Sequence, residues 1–471
     1  MITKFELDKK IYLLFFIISL GIFYRLYHAN FDDYWLDEFF GFWISDPSLE
    51  FKETLSRSFG PGWGQNILFD FLLKYYYGIF GYYPENGRYL TVFISSISII
   101  LITYLSYQID NSKSYILTAF ITSHCWYLIS YSQEVRSYSF GFLLALISFI
   151  FFIHLIKSKE NIISNKKIIF VLYILINLIG LINHIFFALL VFSHFIFLIN
   201  FFNDKNKIKY FLANFLILGI IYLLIMFPFL EKNLASKDFW VSQVKFEFFI
   251  SYFFPRFFGS KLMGYLYLII FLFLLIKSKE IIFSKKSIFQ LFLILIFSSY
   301  FFPLIYSLIK LPILIDRYII FVLIPIILFI SILTFKQNDI IKKTLIILIV
   351  VFTFSNNYLE IFKRNSSKPE FNQALKHIQS QNNLDIFIPS NSFEGHEWLL
   401  NYLKKINYSK YQRLQFLEYK DFGNQNQIWY LCYLPLNSSQ CSVENLNKNY
   451  EIIETKSFYL VEVYLIKNSL S

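Results

Sequence analysis

Apolar runs of membrane-spanning length recur along most of this 471-residue chain and constrain its fold more than any other feature. A helix needs roughly 20 apolar residues to cross the hydrocarbon core of a bilayer. Hydrophobic residues make up 56% of the sequence, more than a soluble domain of this length needs. The sequence therefore predicts an all-α polytopic membrane protein with about eleven transmembrane helices. The predicted spans lie near residues 11–28, 87–108, 114–130, 137–156, 168–182, 184–202, 210–230, 262–276, 287–309, 315–335 and 344–361.

Lysine clusters between the apolar runs predict how the chain is oriented. Short cytoplasmic loops carry an excess of Lys and Arg, and alternate loops of this chain do so. We therefore expect a cytoplasmic N-terminus, with the C-terminus on the outer, periplasmic face of the inner membrane. No small-residue cleavage site follows the first span, which is expected to stay as an anchor. The clusters are Lys4, Lys9 and Lys10; Lys113; Lys157, Lys159, Lys166 and Lys167; Lys205, Lys207 and Lys209; Lys277, Lys279, Lys285 and Lys286; and Lys336, Lys342 and Lys343.

The basic residues and the cysteines exclude some classes of function. The net charge of +11 is spread in small clusters, as topology signals are, so no nucleic-acid partner is predicted. Cys125 lies in a predicted span, whereas Cys432 and Cys441 lie close together near the C-terminus. These two can form a disulfide only if that end lies in an oxidising compartment. No metal-binding or redox spacing of cysteines is present.

Two outside segments are predicted to fold beyond the spans. The first outside loop, residues 29–86, contains an apolar stretch from Asn66 to Phe80 that is too short for a comfortable span, and an amphipathic interfacial helix is expected there. From residue 362 the chain becomes more polar, which predicts a small extracytoplasmic α/β domain over 362–471 after a transmembrane domain over 1–361. Its predicted helices are 368–381 and 397–405, and its predicted strands are 385–389, 428–434 and 458–466.

Ionisable residues collect at the outer ends of separate spans. Charge at membrane depth costs several kcal/mol unless it is paired or wet, so such residues mark candidate functional cavities. Arginines and a histidine suit a phosphate, and a nearby carboxylate suits a base that deprotonates an incoming hydroxyl. Individually, each also fits an ordinary helix-end charge or interface anchor. The set comprises Asp37 and Glu38 in YWLDEFF, Arg88, Glu134 and Arg136, His184, and Asp316 with Arg317.

Five short motifs resemble those of GT-C class membrane glycosyltransferases, in the branch of protein O-mannosyltransferases and lipid A aminoarabinose transferases (glycosyltransferase families 39 and 83). YSQEVRSYSF at 131–140 is the strongest match, to YSQEARPYAL. LDEFF at 36–40 resembles the acidic motif of the first outside loop, and the segment at 72–93 places Lys74 and Arg88 at matching positions. LINHIFFALL at 181–190 and DRYIIFVLIP at 316–325 resemble two further segments. Together the matches cover the first three quarters of the chain.

The resemblance implies a GT-C fold and transfer of a sugar from a polyprenyl-phosphate donor, at the bilayer surface, to a protein, lipid or glycan acceptor. It implies Asp37 as catalytic base, with Glu38 orienting the base or acceptor or helping to hold a divalent metal. No cofactor is certain, and metal use stays open. Donor-phosphate binding is assigned to Arg88, Arg136, His184 and Arg317, with Lys74, Glu134, Tyr138 and Tyr318 in support.

The sequence departs from the family pattern in two places, and two rival functions remain. Gln65, Asn66 and Ile67 stand where relatives often have HPP, and Ser137 replaces the proline of Arg-Pro-Tyr. The first departure leaves the acceptor geometry open. A lipid-linked glycan flippase or polymerase would also need many spans, but ionisable residues at mid-span are scarce here. A non-catalytic assembly protein would require the clustered outside charges to be accidental.

Overall fold

The computed structural model describes residues 4–59, 66–157, 167–201, 205–234, 241–381, 385–389, 393–406, 414–417, 426–437, 441, 443–446 and 450–468. Each predicted span overlaps a helix in the described residues, because in a bilayer the backbone polar groups find hydrogen-bond partners only within the segment. Up to the tail the helices are α1 (Lys4–Leu26), α2 (Leu36–Ile44), α3 (Phe51–Ser58), α4 (Ile67–Phe80), α5 (Pro84–Ile109), α6 (Ser114–His124), α7 (Trp126–Ser132), α8 (Tyr138–Lys157), α9 (Lys167–Asn183), α10 (Phe187–Phe201), α11 (Lys205–Leu234), α12 (Phe246–Ser251), α13 (Phe254–Phe258), α14 (Lys261–Lys277), α15 (Lys279–Ile282), α16 (Ile288–Ile309), α17 (Leu323–Phe335) and α18 (Asp339–Asn357).

The helices make this a multi-pass membrane protein. Within the described ranges, five helical segments are long and apolar enough to cross a membrane: Pro84–Ile109, Tyr138–Lys157, Ile288–Ile309, Asp316–Phe335 and Asp339–Phe362. Shorter apolar helices occupy Lys167–Asn183, Phe187–Asn200 and Phe211–Phe227. The total of eleven spans and the orientation of the termini therefore stay predictions.

The predicted span at 114–130 is wrong as a single helix. The chain is extended at Cys125, which separates α6 from α7. Carbonyl groups at the end of a helix need hydrogen-bond donors from elsewhere. The buried guanidinium of Arg25 supplies them, donating to the carbonyl oxygens of Thr122 at 3.1 Å and Ser123 at 3.1 Å. A cation on α1 therefore stabilises the break.

The helix predicted over Asn66–Phe80 is confirmed as α4, and its location at the membrane interface stays a prediction. One face buries Leu73 and Tyr77, while Ile79 and Phe80 on the other face are exposed. Gly87 allows α5 to approach this helix, because a Cβ at Gly87 would lie 2.2 Å from the hydroxyl oxygen of Tyr77. The loop helices α2, α3 and α4 pack on one another, and α4 packs against α5.

The tail forms a small mixed α/β domain. A four-stranded sheet has the order β1-β2-β4-β3, with β1 parallel to β2 and the other neighbouring pairs antiparallel. The predicted helices and three predicted strands are present, but the β3 strand was not predicted from the sequence. The elements are α19 (Phe371–Gln381), β1 (Ile386–Phe387), α20 (Phe393–Ile406), β2 (Gln427–Tyr433), α21 (Leu434–Asn437), α22 (Val443–Leu446), β3 (Tyr450–Phe458) and β4 (Val461–Asn468).

This domain shares one hydrophobic core with the first outside loop. The rings of Tyr34 and Tyr402 stack with centroids 5.1 Å apart, and the Tyr34 N–H donates to the Tyr402 hydroxyl at 3.0 Å. Phe39 of α2 packs against Phe371 of α19 and Tyr433 of β2. The tail therefore fixes the position of α2, the helix that carries the acidic pair.

Cys432 and Cys441 form a disulfide, as the sequence allowed. We expect Cys441→Ser to lower the free energy of unfolding of the tail domain by about 2–3 kcal/mol, because the bridge closes a short loop in the unfolded chain. Thermal unfolding in detergent, with and without reductant, measures the effect. Reductant should destabilise the wild type and leave the Cys441→Ser variant unchanged, and an unaffected wild type would contradict the prediction.

Candidate active site

The acidic pair begins helix α2 and is buried. Asp37 and Glu38 lie in the first turn, where the helix dipole favours negative charge. Asp37 is 7% exposed and Glu38 is fully buried. Adjacent residues of a helix point about 100° apart, so the two carboxylates meet different neighbours.

Glu38 is held by groups of the protein on both carboxylate oxygens. Its Oε1 accepts the Val135 N–H at 2.8 Å, and its Oε2 accepts the Lys368 ammonium at 2.9 Å. A guanidinium nitrogen of Arg88 lies 3.7 Å from Oε2. A carboxylate with this set of partners is an anchor for the surrounding chain.

Asp37 has looser partners. Its Oδ2 lies 3.7 Å from Arg136 and 3.9 Å from Arg317, both beyond ordinary hydrogen-bond length. Glu38 accepts hydrogen bonds of 2.8 and 2.9 Å, and among the described residues no side chain approaches the Asp37 carboxylate as closely. The two acids therefore differ in kind: Glu38 is fixed, and Asp37 faces two cations across a gap.

The turn between α7 and α8 brings Arg136 to Asp37. Gln133 anchors the turn by donating to the carbonyls of Arg25 and Tyr27 at the end of α1, at 3.1 and 3.0 Å. Arg136 then donates to the carbonyl of Asp37 at 3.0 Å. Burial lowers the pKa of Arg136, but Asp37, Tyr138 and Asp70 together raise it by more, and the pKa stands above its ordinary value. Arg136 is therefore charged at any physiological pH.

Two basic residues of the predicted site face main-chain carbonyls. Arg88 donates to the carbonyl of Ala29 at 3.1 Å and to that of Asp32, and it is 2% exposed. Lys74 donates to the carbonyls of Asp46 at 2.9 Å and Leu49 at 2.6 Å. Both cations hold the first outside loop in this state.

A small cavity lies beside Arg317. Asn183 and His184 line it from the α9–α10 turn, Tyr138 from α8, and Tyr318 from the 3₁₀ turn Asp316–Val322. The cavity therefore joins four of the predicted site residues (Tyr138, His184, Arg317 and Tyr318), and Arg317 also connects it to Asp37.

His184 is neutral in this cavity at ordinary pH. Burial, followed by the charges of Arg136 and Arg317, lowers the pKa of His184 to about 4. Its Nδ1 accepts the Phe186 N–H at 3.2 Å, so the proton of the neutral ring lies on Nε2. The imidazole can thus donate one hydrogen bond without carrying charge.

The acidic pair does not fit a divalent metal. Both oxygens of Glu38 are engaged by protein donors, and Asp37 faces two guanidinium groups. In the part of the chain that the structure describes, no three His, Cys, Asp or Glu side chains are grouped as metal ligands. The charges around the pair are balanced by cations of the chain itself.

Lys368 and Asp70 belong to this site but were not predicted from the sequence. Lys368 reaches Glu38 and Glu134, at 2.9 and 3.2 Å, from beyond the last span. Asp70 on α4 is buried, and burial raises its pKa to about 7, against the opposing charge of Arg136. The polar SSKPE after the last span was the available signal for Lys368. Only the fold shows that it returns to α2.

Only the comparison with solved structures finds proteins similar to this chain. No protein-family model and no curated protein matches the chain. ArnT from Cupriavidus metallidurans bound to undecaprenyl phosphate superposes with a TM-score of 0.59 at 8% identity, over 98% of this chain and 98% of that chain. Its apo state gives 0.55 at 9% identity, over 97% of each chain.

A third solved structure is also similar to this chain. The Archaeoglobus fulgidus oligosaccharyltransferase tethered to an acceptor peptide gives a TM-score of 0.50 at 8% identity, over 98% of this chain and 74% of that chain. These neighbours belong to the GT-C class. At such identities the likeness concerns the fold, and the GT-C fold expected from the sequence motifs is confirmed.

Proposed function

We propose that this protein is a glycosyltransferase that moves a sugar from a polyprenyl-phosphate donor to an acceptor hydroxyl at the outer face of the inner membrane. One observation carries the proposal. Asp37 lies within 4 Å of Arg136 and Arg317, without the short bonds that hold Glu38, and Arg317 also lines the cavity with His184. A base and a set of phosphate-binding groups thus adjoin one space.

The two acids take different roles in this mechanism. Asp37 accepts the proton of the acceptor hydroxyl, whose oxygen forms a bond to the anomeric carbon. The bond from that carbon to the phosphate oxygen breaks on the opposite face, so the configuration inverts. Glu38 holds the first turn of α2 and thereby orients Asp37. No step of this mechanism is routed through a metal ion, because the Glu38 oxygens already accept from Val135 and Lys368 and Asp37 faces two cations.

The leaving phosphate is stabilised by groups that already converge on Asp37. Arg136 and Arg317 lie at ion-pair rather than hydrogen-bond distance from Asp37, so an arriving phosphate can take over both guanidinium groups. The release of Asp37 from its counterions then coincides with donor binding. Neutral His184 adds a donor through Nε2–H, and Tyr138 and Tyr318 complete the cavity wall.

The remaining predicted phosphate ligand is reassigned in this proposal. Arg88 lies behind Glu38 and is buried against the carbonyls of Ala29 and Asp32. It supports Glu38 and the loop, and Lys74 supports the same loop from α4. Phosphate binding then rests on Arg136, Arg317 and His184.

The disulfide supports the outer location of the tail and of the site. Disulfides persist in oxidising compartments, and the Cys432–Cys441 bridge belongs to the domain that packs on α2. The lysine pattern of the loops gives the same orientation.

The test of the function is transfer of radiolabelled sugar from a panel of polyprenyl-phosphate sugars to membrane extract by purified protein. We expect label to move from one class of donor and the rate to be unchanged by a chelator. Donors that bind without transfer of label would favour a flippase or polymerase. Loss of transfer in chelator would overturn the metal-free mechanism.

Arg317→Lys is expected to raise the KM for the lipid-phosphate donor by about tenfold or more, because an ammonium cannot bind a phosphate bidentately. The kinetics of transfer at varied donor concentration measure this. Arg256→Lys is the matched control, since Arg256 pairs with the adjacent Asp316 at 3.2 Å and its side chain is 67% exposed. Equal effects of the two substitutions would contradict phosphate binding by Arg317.

A further inference from the structure

A strap of the chain, residues 363–372, connects the last membrane helix to α19 and runs along the acidic segment of the first outside loop. Residues 363–370 have neither helix nor strand. Arg364, Lys368 and Asn372 are spaced four apart, and each contacts an acid among residues 32–38. Pro369 restricts Lys368 to extended conformations, which keeps the strap from coiling.

The ends of the strap are fastened on both sides of Lys368. Arg364 pairs with Asp32 and donates to Gln133 Oε1 at 2.7 Å. The Asn372 N–H donates to Asp33 Oδ2 at 2.7 Å. Lys368 is therefore presented to the site by a segment that is itself fixed to the loop.

Lys368 joins the two elements that place Asp37 and Arg136. Its ammonium lies 2.9 Å from Glu38 on α2 and 3.2 Å from Glu134 on the α7–α8 turn, and its side chain is 11% exposed. Glu38 in turn accepts the Val135 N–H of that same turn. Lys368 thus neutralises both Glu38 and Glu134 at the joint, the place where α2 meets the α7–α8 turn.

We propose that Lys368 is a positioning residue for sugar transfer: by bridging Glu38 and Glu134 it sets the position of Asp37 relative to Arg136. The inference rests on the proposed function. Without the ammonium, the two nearby carboxylates repel each other, and the turn moves away from α2. Misplacement of a reacting group by about 1 Å can cost about 10²-fold in rate.

The position of Lys368 outside the cavity separates this role from donor binding. It does not line the cavity that holds His184 and Arg317. A positioning residue changes kcat, whereas a residue that only adds charge for the donor changes KM with kcat preserved. The tail domain, through its strap, then takes part in the transfer step itself.

The test compares Lys368→Met with Lys363→Met, a control on the same strap whose side chain is exposed. We expect Lys368→Met to lower kcat by about 10–100-fold and to change the donor KM by less than about threefold. Lys363→Met should match the wild type. Lys368→Arg, which keeps the cation, should recover most of kcat. Wild-type kcat in Lys368→Met, or a raised KM at unchanged kcat, would overturn the proposal.

Hydrogen exchange gives a readout that needs no activity. The Val135 amide, bonded to Glu38, should exchange at least about tenfold faster in Lys368→Met than in Lys363→Met. If the wild type transfers nothing from any donor, the proposed function fails, and this comparison alone decides whether Lys368 fixes the joint. Unchanged exchange then overturns the inference. Should Lys368→Met not fold, Lys368→Gln replaces it in both measurements, because it also removes the positive charge between the two acids but keeps a polar side chain there.

Discussion

Asp37→Asn is expected to lower the rate of sugar transfer by about 10²–10⁴-fold while the protein stays inserted and folded. An asparagine keeps the shape and the main-chain contacts of Asp37, including the bond from Arg136 to its carbonyl. It cannot accept the proton of an acceptor hydroxyl. The loss should therefore appear in kcat, measured by transfer of radiolabelled sugar at saturating donor.

Asp46→Asn is the matched control for this substitution. Asp46 belongs to the same outside loop, and its carboxylate accepts the Ser48 N–H at 2.9 Å, which an amide oxygen can also do. We expect wild-type transfer from Asp46→Asn. Transfer at the wild-type rate by Asp37→Asn would remove the base from the mechanism, and an equal loss in both variants would point to a general effect on the loop.

Glu38→Gln is expected to act on stability first, with a loss of about 3–5 kcal/mol in the free energy of unfolding. The substitution leaves Arg88 beside a neutral group in a fully buried place, while Lys368 keeps Glu134 as an acidic partner at this joint. Uncompensated buried charge is costly because neither water nor a counterion can solvate it. Thermal unfolding in detergent, followed by circular dichroism, measures the change.

Glu53→Gln is the control for the loss of stability expected in Glu38→Gln. Glu53 pairs with Arg57 at 2.7 Å on the surface of α3, and its side chain is 50% exposed. Such a pair contributes about 0–1 kcal/mol, so Glu53→Gln should hardly move the melting temperature. A Glu38→Gln variant as stable as Glu53→Gln would show that the buried network is not needed for folding.

The contrast between Asp37 and Glu38 was not available from the sequence. YWLDEFF presents two adjacent acids with the same flanking aromatics, and both were predicted as catalytic. Their neighbours differ because consecutive helix positions face different directions. Glu38 meets Lys368, which lies 330 residues further along the chain, and no local pattern contains that partner.

The contacts of Arg88 and Lys74 were likewise not predictable from the sequence. Their place in the motif at 72–93 predicted phosphate binding or its support, and both are indeed buried near the loop. Their hydrogen bonds go to main-chain carbonyls of residues 29–49, and main-chain acceptors leave no trace in a sequence. The direction in which a cation points is decided by how the loop folds around it.

What the sequence determined by itself was the class of fold and the set of candidate groups. Long apolar runs must form helices in a bilayer, because backbone groups have no other partners there, and the outer motifs gathered Asp37, Arg136, His184 and Arg317. Tertiary structure alone decided the break at Cys125, the core shared by the tail and α2, and the bridge from Lys368. Each of these depends on contacts between residues far apart in the chain, whose free energies are gained only when the chain has folded.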